Sequence, residues 1–89
     1  MAEQEIAIQN RLGLHARASA LFVKTAASFR SEVFVRRDDM EVNGKSIMGV
    51  LLLAASQGTV LLLRTEGIDA DRALIALIAL VDDCFGEGG

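Results

Sequence analysis

Four short strand-like segments, separated by stretches of helical periodicity, limit the folds open to this chain more than any other feature. Segments at about 3–9 and 40–42 alternate apolar with polar or small residues, and in 33–36 Val33 and Val35 alternate with Phe34 and Arg36, which is the period of a strand with one buried face. The fourth segment, 59–65, is strongly apolar on both of its faces. That pattern is typical of a central strand, so this segment is expected inside the sheet.

The connections between these segments predict how the strands are ordered. A charged turn at 37–39 joins the second and third strands into a hairpin. Right-handed crossovers make strands one and two parallel, with a gap between them that the fourth strand fills. The expected fold is therefore α+β: an open-faced sandwich of order βαββαβα, whose four-stranded antiparallel sheet has the order 1-4-2-3 with three helices on one face. Residues 1–89 are expected to form one domain around a single modest core.

Three segments have the periodicity of amphipathic helices. The first, 16–29, is expected to bury a stripe of small apolar residues, namely Ala16, Ala20, Val23 and Ala27. The second, 47–53, is short and has Ser46 as its predicted N-cap. The third, 70–85, follows Asp69 as its predicted N-cap. Its expected stripe against the sheet consists of Ala73, Leu74, Leu77, Ile78, Val81 and Phe85.

A single cysteine, Cys84, rules out an internal disulfide and indicates core filling in the last helix. Since no signal-like segment opens the sequence, a reducing cytoplasm is expected. The longest uncharged run, 46–63, is broken near its middle by Ser56-Gln57-Gly58, whereas a membrane-spanning helix needs about 20 apolar residues in a row. A soluble protein without membrane insertion is expected, with a frayed Gly-Glu-Gly-Gly tail at 86–89.

Charge is distributed unevenly along the chain. Residues 1–46 carry seven Lys/Arg against six Asp/Glu, whereas residues 47–89 carry two against six. Nucleic-acid binding is not supported, because the net charge is −3 and all four aromatic residues are Phe without a stacking motif. The basic groups lie on the part of the chain that contains the only histidine, so an acidic protein partner is the better expectation.

That histidine, His15, follows a glycine-containing loop and opens the first predicted helix. A helix N-terminus presents N–H groups without intrahelical acceptors and the positive end of the helix dipole, which favour an anion such as phosphate. Arg17 adds a forked cationic donor at the same place. From position alone, a helix cap or surface residue without chemistry is the commoner role of such a histidine. No metal ligands accompany it, so neither a metal nor another cofactor is expected.

Two motifs together resemble a known family: GLHAR at 13–17 and KSIMGV at 45–50. They are similar in sequence and separation to the histidine-containing phosphocarrier (HPr) family of the phosphoenolpyruvate-dependent phosphotransferase system. The resemblance implies that His15 accepts a phosphoryl group on Nδ1 from a phosphohistidine of enzyme I. It further implies that the group passes to a histidine or cysteine of an EIIA-type acceptor, so the chain is a stoichiometric carrier rather than an enzyme.

In this interpretation Arg17 and the backbone N–H groups of Ala16 and Arg17 stabilise the phosphate. One departure from the family pattern is Ala18, where many members have proline. Alanine gives up some rigidity in the first turn but retains an N–H donor and helix propensity. A second departure is Ala27, where lysine or arginine is common, so weaker docking electrostatics are expected.

The resemblance also implies a docking surface for enzyme I and the acceptors on the first two helices. Its expected members are Ala20, Lys24, Ile47, Met48, Gly49 and Leu51. Ser46 has two interpretations: a helix cap, and a regulatory phosphorylation site for an HPr kinase/phosphorylase. A monomer is expected, because a carrier must keep this surface accessible.

Two other functions are weighed against the carrier. In a regulatory binding module, the surface around Ser46 would dock onto a partner and His15 would be incidental. A hydrolytic enzyme finds little support, because the chain has no second histidine, no Cys/His pair and no cluster of carboxylates near the loop. Two branches of the family also stay open, one that serves sugar uptake and one that forms a nitrogen-related relay. The apolar last helix is somewhat more similar to that of the nitrogen-related branch.

Overall fold

The strands and helices follow one another in the predicted order βαββαβα. The computed structural model describes residues 1–87. The elements are β1 (Ala2–Ala7), α1 (Ala16–Ala27), β2 (Glu32–Arg37), β3 (Met40–Asn43), α2 (Ile47–Leu52), β4 (Val60–Glu66) and α3 (Ala70–Asp82), and a 3₁₀ turn (Cys84–Gly86) follows. The alternation of strand-type and helical segments therefore predicted every regular element except this last turn.

The sheet is antiparallel with the order β1-β4-β2-β3, as predicted. β4 pairs with both β1 and β2, and Val35 of β2 lies opposite Leu63 of β4. Both side chains are buried beneath the helices. On the opposite, open face the Arg64 guanidinium lies 4.3 Å from the centre of the Phe34 ring and binds Glu41. Charged and stacked groups thus cover the face that has no helices.

The core lies between the helices and the inner face of the sheet. Its largest fully buried side chains include Phe22, Ile8, Leu53, Leu61, Leu63 and Leu77. Cys84, predicted to fill the core, is only half-buried. No helix within residues 1–87 is both long enough and apolar enough to cross a membrane.

The buried stripe predicted for the first helix is wrong. Ala18, Phe22 and Ala26 face the core with Ser19, whereas Ala16, Ala20 and Ala27 are exposed and Val23 is half-buried. Phe22 decides the orientation, because burying its phenyl ring removes far more apolar surface from water than burying any one alanine methyl group does. The helix also ends at Ala27 rather than at Phe29, since the next N–H groups bond to carbonyls three residues back.

The last helix is shorter than predicted. It ends at Asp82, and Cys84 and Phe85 then adopt positive φ angles of 53° and 54°. This backbone reversal lets Phe85, which is 3% exposed, enter the core from outside the helix. Periodicity alone could not show it, because Phe85 also fits the continuation of the helical stripe. The reversal returns the chain toward the start of α1.

Asp69 precedes α3 as predicted, but its side chain does not cap that helix. The carboxylate instead accepts hydrogen bonds from the Ser31 hydroxyl, the Ser31 N–H (2.8 Å) and the Arg30 N–H (2.9 Å). These bonds, led by the Ser31 hydroxyl and the Arg30 N–H, lower the pKa of Asp69 from 3.8 to about 2. Asp69 therefore joins the start of α3 to the loop before β2.

Candidate functional site

A short loop places His15 at the start of α1. Gly13 adopts a φ of +66°, and a Cβ built on it would lie 2.4 Å from the carbonyl oxygen of Ala55. The neighbouring Leu14 N–H donates to that same oxygen at 2.9 Å. Both the backbone conformation and the close approach therefore require glycine at this position.

His15 is the N-cap residue of α1, but its imidazole makes no capping hydrogen bond. Its carbonyl oxygen accepts the first helical bond, from Ser19 N–H at 2.8 Å. The N–H groups of Ala16 and Arg17 precede that bond and have no intrahelical acceptor. These are the two N–H groups expected from the sequence to hold a phosphate, and they lie beside a side chain that is 28% exposed.

The carboxylate of Glu87 occupies this corner of the molecule. Its Oε2 contacts His15 Nε2 and accepts a hydrogen bond from Arg17 Nη2 at 2.9 Å. Its Oε1 accepts a hydrogen bond from Asn10 Nδ2, also at 2.9 Å. The Arg17 guanidinium, followed by the Asn10 amide, lowers the pKa of Glu87 from 4.5 to about 2. An anion is therefore held between His15 and Arg17.

Sequence reasoning missed both Glu87 and Asn10. The expectation of a frayed tail is wrong for Gly86 and Glu87, whose side chain is only 6% exposed, while Gly88 and Gly89 lie outside the described residues. A carboxylate between glycines carries no local pattern that points to a residue 72 positions away. Asn10 is fully buried, and its sequence neighbourhood, between the polar Gln9 and Arg11, gave no sign of this.

The surface around His15 is partly apolar. Leu12 is 69% exposed and lines a depression together with Arg11, Arg17 and Glu87. On the neighbouring α2, which packs against α1, three more apolar side chains are exposed: Ile47 (45%), Met48 (71%) and Leu52 (65%). Exposed apolar side chains clustered beside a polar site are typical of a protein-binding surface.

The expected docking residues fall on this surface to different degrees. Ala20, Lys24, Ile47 and Met48 are exposed, while Gly49 and Leu51 are half-buried. Leu12 and Leu52 were not expected there. The almost continuous apolar sequence of α2 did not distinguish the exposed Leu52 from the buried C-cap residue Leu53, because a helix of six residues has too few turns to define one apolar face.

Ser46 caps α2 as predicted. Its Oγ accepts a hydrogen bond from Gly49 N–H at 3.1 Å. The residue is half-buried and lies directly before the exposed Ile47 and Met48. A group attached to its hydroxyl would therefore lie at the edge of the apolar surface.

Comparisons with known proteins identify the family. Residues 2–83 match the family model described as PTS HPr component phosphorylation site. The chain belongs to the HPr family. It is 54% identical over 88 residues to the phosphocarrier protein HPr of Neisseria meningitidis serogroup A, covering 99% of both chains. HPr members are phosphocarrier proteins of the phosphotransferase system, and this chain shares that function.

Solved HPr structures have the same fold. The crystal structure of HPr-C-His from Thermoanaerobacter tengcongensis superposes with a TM-score of 0.95 at 49% identity, covering 98% of each chain. The crystal structure of an HPr dimer from the same organism superposes with a TM-score of 0.79 at 49% identity, covering 98% of this chain and 100% of the other.

Proposed function

We propose that this HPr chain accepts a phosphoryl group on His15 Nδ1 from the phosphohistidine of enzyme I and passes it to an EIIA-type acceptor. One observation carries the proposal: the imidazole stands beside Arg17 and two N–H groups without intrahelical acceptors, and the Glu87 carboxylate is held between His15 and Arg17. Nδ1 itself has no hydrogen-bond partner in the described part of the chain, so its lone pair is available.

The chemistry that this arrangement supports is an in-line displacement. The Nδ1 lone pair attacks phosphorus while the nitrogen–phosphorus bond of the donor breaks and its electron pair returns to the donor. The N–H groups of Ala16 and Arg17, together with the Arg17 guanidinium, stabilise charge on the phosphoryl oxygens. Because the same groups serve the forward and reverse directions, the phosphoryl group can leave by the same route.

The partners would dock on the exposed surface formed by Leu12, Lys24, Ile47, Met48 and Leu52. Met48 suits it because a flexible thioether adapts to several partners in turn. Lys24 and Arg17 favour acidic partners. We place this relay in the cytoplasm, with residues 1–89 acting as one carrier domain and the monomer as the working form.

Ser46 is a second proposed modification site. A phosphate there would add about −1.5 to −2 charges at the edge of the docking surface. It would repel an acidic partner placed over His15 while retaining a favourable position at the start of α2. The acceptor proposed for the relay belongs either to sugar uptake or to nitrogen-related regulation.

The direct test is incubation with enzyme I and phosphoenolpyruvate. One phosphate per chain should be incorporated, and it should be labile to acid and stable to alkali, as a phosphohistidine is. Incorporation that depends on both enzyme I and phosphoenolpyruvate supports the proposal. A chain that stays unlabelled under conditions in which the Neisseria meningitidis protein is labelled contradicts it.

Replacing Arg17 should slow the transfer strongly. Arg17→Ala removes the guanidinium that stabilises the transferring group, and loss of one such donor costs about 100-fold in rate. Arg17→Lys should recover part of the rate, because it restores the charge without the forked geometry. Rapid-quench measurement of phosphate uptake from phospho-enzyme I checks both values. Equal rates for Arg17→Ala and the unsubstituted chain would remove Arg17 from the mechanism.

A further inference from the structure

The contact between Glu87 and His15 involves a defined atom of the imidazole, Nε2. We propose that Glu87 is a positioning residue for phosphoryl transfer, which holds His15 in the tautomer with its proton on Nε2 and thereby leaves the Nδ1 lone pair unprotonated. The inference rests on the proposed function, because it assigns a role within the transfer at His15. Glu87 lies outside both motifs, the one around His15 and the one around Ser46.

The charge of the Glu87 carboxylate determines which nitrogen of His15 carries the proton. Its pKa near 2 keeps Glu87 ionised at neutral pH, so it can accept hydrogen bonds but has no proton to donate. The proton shared with His15 therefore belongs to Nε2. In a neutral imidazole only one nitrogen carries a proton, so a proton fixed on Nε2 leaves Nδ1 as the nucleophile. Nδ1 is also the nitrogen without a hydrogen-bond partner among residues 1–87.

The surrounding structure holds the carboxylate in place. Asn10, fully buried before the loop, binds one oxygen, and Arg17 of α1 binds the other. Phe85, two residues earlier, is anchored in the core, and the Glu87 N–H donates to the Cys84 carbonyl at 2.9 Å. Contacts from a buried loop residue, a helix and a core anchor distinguish this carboxylate from a surface side chain that meets a histidine by chance.

During transfer the proton on Nε2 stays where it is. As the bond from Nδ1 to phosphorus forms and the donor's nitrogen–phosphorus bond breaks, the ring of His15 gains positive charge. The Glu87 carboxylate lies beside that charge and stabilises it, as the carboxylate of a catalytic triad stabilises an imidazolium. Arg17 donates to Glu87 through Nη2 alone, so the other N–H donors of Arg17 remain available to the phosphoryl oxygens.

The sign of the pH dependence follows from the lowered pKa. The contact is complete above the ordinary pKa of 4.5 and is lost as the pH falls toward about 2. The charged or titratable groups that face Glu87 are His15, Arg17 and, across the surface depression, Arg11, while Cys84 lies on its own turn. Titration of the Glu87 carboxyl, followed by its side-chain ¹³C shift, therefore reports the contact without any transfer reaction.

The experiment compares Glu87→Ala, Glu87→Gln and the control Asp83→Asn. The control removes one carboxylate from an exposed residue just before the same turn, and that side chain makes no hydrogen bond within the described residues. Three quantities are measured: the Glu87 pKa, the ¹⁵N shifts of the His15 ring, and single-turnover phosphate uptake over a range of phospho-enzyme I concentrations.

We expect a Glu87 pKa of about 2 in the unsubstituted chain and ring shifts of an Nε2-protonated imidazole. Glu87→Ala should reduce the maximal uptake rate about tenfold, with the concentration dependence unchanged, and should move the ring shifts toward a mixture of tautomers. Glu87→Gln should recover part of the rate, because its amide oxygen still accepts from Nε2–H. Asp83→Asn should match the unsubstituted chain.

A Glu87 pKa near 4.5, or equal uptake rates for Glu87→Ala and Asp83→Asn, would overturn the role of Glu87. So would a fall confined to the affinity for phospho-enzyme I, which indicates docking rather than positioning. An unsubstituted chain that takes up no phosphate contradicts the proposed function instead. The two failures are distinguishable, because equal variant rates are observed only in chains that do take up phosphate.

Discussion

Replacing His15 with alanine should abolish phosphate uptake from phospho-enzyme I while leaving the fold intact. No other side chain among residues 1–87 combines a nucleophilic nitrogen with the N–H groups at the start of α1, so no second acceptor can take over. The backbone at this position is extended, which alanine adopts without strain, and the bond from Ser19 N–H to the carbonyl of residue 15 is preserved. Acid-labile label, measured by rapid quench, should fall below detection.

Two controls separate loss of the acceptor from loss of the fold. The far-ultraviolet circular dichroism of His15→Ala should match that of the unsubstituted chain. Ser46→Ala should retain the acid-labile label. A phosphate on Ser46 would be stable to acid, so removing Ser46 cannot remove acid-labile phosphate. Acid-labile phosphate on a folded His15→Ala chain would show that another residue is the acceptor.

Gly13→Ala should lower the free energy of unfolding by about 3 kcal/mol, since a non-glycine residue in left-handed backbone costs about 1–2 kcal/mol and overpacking a tight contact costs about 1–3 kcal/mol. The new Cβ would meet the Ala55 carbonyl oxygen at 2.4 Å, which is backbone and cannot rotate away. The loop must then shift, and His15 moves with it. Urea unfolding measures the stability, and phosphate uptake should fall in the same variant.

Gly58→Ala is the matched control for this substitution. Gly58 also has a positive φ, +89°, but a Cβ there has no atom within 4 Å. The cost should be limited to the left-handed backbone, about 1 kcal/mol, with no effect on phosphate uptake. If the two variants are equally stable, the close approach of Gly13 to Ala55 does not hold the loop in place.

Most of the fold was predictable from local patterns. β4 was placed at the centre of the sheet because Val60–Leu63 put apolar side chains on both of its faces, and the structure pairs it with strands on both sides. The hairpin of β2 and β3 followed from its charged turn, and the cap of α2 followed from Ser46. These features depend on residues that are near one another in the sequence, and local patterns record them well.

The orientation of α1 and the course of the final turn were not predictable in the same way. The face that α1 buries depends on how much area Phe22 covers relative to alanines, which a pattern of apolar positions does not weigh. The final turn depends on Phe85 reaching the core from left-handed backbone. Both are decided by tertiary packing, which overrides local periodicity.

The candidate site likewise combines residues that are close in the sequence with residues that only the tertiary structure brings together. His15, Arg17 and the N–H groups at the start of α1 lie within three residues of one another, so their proximity is a property of the sequence. Asn10 and Glu87 meet them only because β1 ends beside the returning C-terminal turn. A carboxylate in a glycine-rich tail has no sequence signal for such a contact, and only the three-dimensional structure brings it to the histidine.

Discharge of the phosphorylated chain tests the carrier role most directly. The purified phospho-chain is mixed with an EIIA-type acceptor and followed by ³¹P NMR. The phosphohistidine signal of the chain should fall as a signal on the acceptor rises in equal amount, without release of inorganic phosphate. Inorganic phosphate appearing at the same rate with and without the acceptor, which stays unlabelled, would contradict the account, because the bond at His15 would then end in hydrolysis rather than in transfer.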